Sequence, residues 1–211
     1  EVLPLDGRTG LHPALKPLMP LWQEGELAIV QGVGYPSPNL SHFRSIEIWD
    51  TASRSDQYLG EGWLARAFAA HTVPAQFAAG GVAVGGADMG PLAGAARAIA
   101  LTQPEVFLRQ ARLARPVGAG RNSALDHILK VEAGIVEAAA RLDAGVQFAT
   151  EFPRGQFGNA VRVAAQLAAN PSGVAAVRLS LAGFDTHQNQ PGIHQRLLGE
   201  LAAGLVALKS A

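Results

Sequence analysis

Two short stretches carry the residue types best suited to chemistry. In SLAGFDTHQNQPGIHQ, residues 180–195, one Asp and two of the chain's six His fall within ten positions: Asp185, His187 and His194. A carboxylate with two imidazoles is a donor set for Zn²⁺ or another borderline divalent metal. Each group also has an ordinary use. Asp185 could cap a turn, His187 could be solvated, and His194 could be a core histidine bonded to a carbonyl. The second stretch is YPSPNLSHFRS, residues 35–45. Ser41 stands where an N-cap belongs, its hydroxyl accepting from a backbone N–H one turn on. The same position offers a second chemistry. A helix N-terminus presents N–H groups and partial positive charge, which suit phosphate or sulfate. A hydroxyl there, near a metal, could act as a nucleophile. His42 and Arg44 could add donors to the anion, Arg44 through its two-pronged guanidinium.

These residues need elements to hold them. Leu27–Val33 (LAIVQGV) is apolar on both faces and predicts a buried strand ahead of the Ser41 loop. From Ser41 a helix follows, with Phe43, Ile46 and Trp49 expected along its apolar side. Ala175–Ala182 predicts the strand that leads into Asp185. Gly183 frees the backbone to turn, and Pro191 suits the first turn of the closing helix, capped by Asn189 or Gln190. On that helix Leu197, Leu198, Leu201, Leu205 and Leu208 form one stripe, with His194 near its centre. His194 is therefore expected to point inward, toward the turn that carries Asp185 and His187.

Elsewhere, Leu11–Gln23 reads as a short helix broken by Pro13, Pro17 and Pro20. Short helices are expected at Gly62–Ala70, Pro104–Ala114 and Phe157–Ala169, and a long one at Asn122–Phe148. Gly81–Gly85 predicts a strand, and GGADMG (85–90) a turn, since it lacks the spacing of a dinucleotide fingerprint. His127 sits away from the apolar stripe of its predicted helix and reads as a surface residue, while His12 and His71 carry no pattern. Strands alternating with helices imply an α/β fold with a parallel sheet covered on both faces. Three strands are few for such a sheet, and residues 1–211 read as one partial domain.

Composition excludes several classes. Acidic and basic residues balance at 17 each, leaving no electrostatic footprint for nucleic acid or an anionic membrane. Without cysteine there are no disulfides, thiolate ligands or Cys nucleophiles. The longest uncharged run, Ala67–Ala87, is broken by Pro74, His71 and glycines, so no transmembrane segment is expected.

The blocks GLHPAL, SHFRS, GWLAR, FPRGQFGNAVRVAAQLAAN and LSLAGFDTH, taken together, resemble a bacterial exported family, the domain-of-unknown-function family 1501. The likeness covers nearly the whole chain. Its members usually enter through the twin-arginine pathway and are grouped with the alkaline phosphatase and sulfatase superfamily. The resemblance implies a three-layer α/β/α sandwich with a mostly parallel sheet, alkaline-phosphatase-like and here incomplete, with metals at the carboxyl edge of the sheet. It implies a periplasmic or exported location and an anionic ester substrate, small or polymeric. Ser41 would match the nucleophile, His42 and Arg44 substrate contacts, and Asp185 and His187, with His194, the ligands of one divalent metal, Zn²⁺ by preference. The superfamily reaction is hydrolysis of a phosphate or sulfate ester through a covalent intermediate, with two metals stabilising the attacking and leaving oxygens. Family members begin with a strand and a Gly-Asp-rich turn and continue to a Thr-Asp-His-Gly block, and the chain is expected to be truncated of both. Asp6 and Asp88 are poor substitutes for the first of these carboxylates. Two other functions remain open: a non-catalytic exported binding protein of the same fold, and a cytosolic α/β domain whose Asp-His turn is structural.

Overall fold

A computed structural model describes residues 1–103 and 146–211. The predicted helix Pro104–Ala114, His127 and most of the predicted helix Asn122–Phe148 lie outside these residues; the last three positions of the latter are described and are not helical. The chain divides into two compact units. The first comprises Glu1–Val33, Gln147–Ala165 and Leu179–Ala211, and the second Gly34–Val146 with Gln166–Arg178.

The first unit opens with strands β1 (Leu3–Pro4) and β2 (Gly10–Leu11), paired antiparallel with Leu3 opposite Leu11. Asp6 closes their turn. Its Oδ1 accepts from the backbone N–H groups of Arg8 and Thr9, each at 2.7 Å, and these bonds hold its carboxyl below the usual pKa. Asp6 is therefore committed to the turn. The proline-broken segment then forms a 3₁₀ stretch, Pro13–Leu18, running into helix α1 (Met19–Gln23). His12 caps it: its Nδ1 accepts from Ala14 N at 3.1 Å.

The predicted strand Leu27–Val33 does not form. The segment is irregular, with Val30 78% and Val33 60% exposed. An apolar run becomes a strand only where a neighbouring ladder takes its N–H and C=O groups, and among the described residues this segment joins none.

Helix α4 (Gln156–Ala169) begins in the first unit, and α5 (Gln190–Ser210) ends it. The helix starts where expected, with Asn189 in the N-cap position and Pro191 in the first turn, but Asn189 is left-handed and its side chain makes no capping bond. The buried positions of α5 are Leu197, Ala202, Gly204 and Ala207, while Leu205 of the expected leucine stripe is 39% exposed. Small residues account for the shift. A Cβ at Gly204 would stand 2.7 Å from Phe157 and 3.2 Å from Val161, so α5 lies against α4 at a distance that only a bare backbone allows. Leucine spacing alone does not report such a contact. On another side α5 packs along the 3₁₀ stretch Pro13–Leu18.

The second unit holds a three-strand parallel sheet ordered β4-β3-β5, built from β3 (Ala79–Val84), β4 (Ala98–Leu101) and β5 (Val174–Leu179). Gly81 pairs with Ala98 and Val84 with Leu101. All six residues of β3 are buried, as a central strand covered on both faces requires. Strand β5, at an edge, is only half-buried along most of its length. The short AIAL run that forms β4 falls between two obvious elements and carries too few residues to announce a strand by periodicity. Helices α2 (His42–Thr51) and α3 (Trp63–Ala70) pack on a single 3₁₀ turn at Gly90–Leu92. The backbone of Gly62, which caps α3, passes so close to Pro91 that a Cβ would be driven into its carbonyl.

Helix α2 starts where the sequence places it and turns the other way. Its buried residues are Arg44, Ile48 and Thr51, whereas Phe43 is 87%, Ile46 55% and Trp49 51% exposed. The observed architecture is mixed α/β with a parallel sheet.

Candidate functional site

The Asp-His turn belongs to the first unit. Strand β5 ends at Leu179, and Gly183, at φ +101°, bends the chain into the turn. Asp185 Oδ1 and His187 Nε2 come within 3.3 Å of each other, with both side chains open to solvent (62% and 85% exposed). Two ligands bonded at about 2.0–2.1 Å to a tetrahedral zinc stand roughly 3.3 Å apart, so the pair has the spacing of two adjacent metal ligands. The same contact is an ion pair when His187 carries a proton.

His194 does not join them as it stands. It lies in the first turn of α5, half-buried, and its Nε2 is 3.1 Å from Phe184 O and 3.3 Å from Thr186 Oγ1. The Phe184 ring stacks at a tilt, 5.6 Å between centroids. An Nε2 donating to a carbonyl has no lone pair for a metal. Among the described residues no group of three or more His, Asp or Glu gathers closely enough to hold a metal ion. With Nε2 donating, the Nδ1 lone pair of His194 is still available, but His194 does not gather with Asp185 and His187 into such a group, and the residues present thus fit two ligands.

The Ser41 station belongs to the second unit and is locally well held. Ser41 N donates to Asn39 Oδ1 (2.8 Å), Ser45 Oγ donates to Asn39 O (2.7 Å), and Tyr35 Oη lies 2.8 Å from Ser45 Oγ. Ser41 caps α2, its Oγ accepting from Arg44 N at 3.5 Å. That distance is at the outer limit of a hydrogen bond, so the cap holds the hydroxyl weakly. Ser41 and His42 are both exposed at the helix start.

Arg44 faces inward, away from the role expected for it as a substrate contact. Its guanidinium is buried, with Nη2 donating to the carbonyls of Arg54 (3.4 Å), Ser55 (3.3 Å) and Gln57 (2.5 Å). Nη1 pairs with Glu47 at 2.9 Å, and the group lies 3.8 Å over the Tyr58 ring. Through Nη2 the guanidinium ties the loop after α2 back to the helix. Its Nε and Nη1 make no hydrogen bond of good geometry, so the buried charge rests on the Nη2 carbonyl contacts, the ion pair and the ring.

A third polar group escaped the sequence reading. Arg178, near the carboxyl end of β5, donates through Nη1 to Asp88 O (2.7 Å) and through Nη2 to Asp88 Oδ2 (2.6 Å). Asp88 Oδ1 accepts from Gly90 N (3.0 Å) and so fixes the Gly-rich turn after β3. Burial raises the pKa of Asp50, in the last turn of α2; Arg178 pulls it down and Asp88 pushes it up. The signal was available as a lone Arg in an otherwise apolar strand, AAVRLSLA. Arg178 lies near the carboxyl end of β5, while the segment ahead of Ser41 forms no strand, and Arg178 and Asp88 are already satisfied by one another.

Comparison with known proteins adds no identity. No family model matches the chain, and neither does any curated protein or solved structure.

Proposed function

We propose that the chain is part of a metal-dependent hydrolase of phosphate or sulfate esters, or of a degenerate relative, in the exported family it resembles. The observation that carries this reading is the Asp185–His187 pair, solvent-accessible and at ligand spacing. In the proposal these two residues hold a divalent metal, Zn²⁺ by preference, with His194 joining through Nδ1 if the turn brings that atom to them while Nε2 stays on Phe184 O. The metal, when bound, would supply Lewis-acid stabilisation of charge on the ester oxygens. Ser41 would be the nucleophile, supported by its exposure, its slack cap bond and its place at a helix start. His42, exposed beside it, would contact the anion, and Arg44 would act from behind by fixing the helix and its following loop. Twin-arginine export and a periplasmic location follow from the resemblance alone.

The test of the reaction is hydrolysis of aryl phosphate and aryl sulfate esters by the full-length protein, parent against Ser41→Ala. The reading expects a loss of at least about 100-fold in kcat for a removed nucleophile. Equal activity in the two would leave Ser41 a cap and nothing more.

One observation favours a second reading, a non-catalytic binding protein of the same fold. The exposed side of α2 carries Phe43, Ile46 and Trp49, preceded by Leu40 at 94% exposure, which is more apolar surface than one helix normally leaves in water. Among the described residues no helix is long and apolar enough to cross a membrane.

A further inference from the structure

We draw no further inference here: the strongest candidate, the exposed apolar side of α2 formed by Phe43, Ile46 and Trp49, carries nothing because no feature among the described residues shows what covers it.

Discussion

Arg44 and Ser41 sit three residues apart on one helix, yet the structure gives them opposite surroundings. Arg44 is enclosed by carbonyls, a carboxylate and a ring, so its loss would leave several acceptors without a donor. Arg44→Ala is expected to cost about 2–4 kcal/mol, read as a shift of urea midpoint. Arg44→Lys should recover little, because one ammonium cannot meet the carbonyls, pair with Glu47 through a second nitrogen and lie flat over the Tyr58 ring at once. If Arg44 instead served a substrate anion, both variants would keep their stability and lose only activity. Asp50 offers a pH test. Burial raises its folded pKa above the usual carboxylate value. The protonated form is therefore the one the fold prefers, and the associated stability is present below the unfolded pKa and lost as pH rises through the folded one. Asp50→Asn should then raise the melting temperature at pH 7 and change it little at pH 3.5. A variant less stable than the parent at pH 7 would show that Arg178 attraction outweighs burial.

Helix α2 is also the clearest case of an element whose limits were legible and whose face was not. SHFRS marked the start, because Ser capping rests on local backbone geometry that sequence encodes directly. The apolar spacing of Phe43, Ile46 and Trp49 marked the wrong side, because the buried side is led by an arginine that brings its own partners. Ile48→Ala is expected to cost about 2–4 kcal/mol, and Phe43→Ser less than about 0.5 kcal/mol. Thermal melts of the two variants would reverse that order if the apolar spacing named the buried side. Strands β3 and β5 were legible as short apolar runs, while β4 was too short, and Leu27–Val33 had the composition of a strand without a ladder to join. Close backbone approach was invisible for another reason: glycine spacing does not say what passes beside it. Gly204→Val on α5 should cost about 1–3 kcal/mol through its collision with Phe157 and Val161, measured by chemical denaturation. A neutral result would mean that α5 and α4 are less tightly apposed than described.

At the scale of the molecule, the balanced charge and a sequence pI near 7.3 make a simple statement. Solubility should be lowest near neutral pH and rise on either side, and the chain should elute from a polyanion column at low salt. Retention beyond moderate salt would reveal a basic surface that the totals conceal. Of the candidate site, the Asp185–His187 juxtaposition and the helix start at Asn189–Pro191 were legible, since both are set by local turn geometry. The bonding of His194 to Phe184 O was not, because spacing places a side chain on a helix but does not say which backbone carbonyl its ring meets. The central claim rests on the Asp185–His187 pair. The most direct measurement is metal content after equilibrium dialysis of the full-length protein against Zn²⁺, with Asp185→Ala and His187→Ala beside it and circular dichroism to confirm that all three fold. Zinc bound by the parent and lost in both variants is the predicted result. A folded parent that takes up no zinc, or variants that hold as much as the parent, would contradict the account.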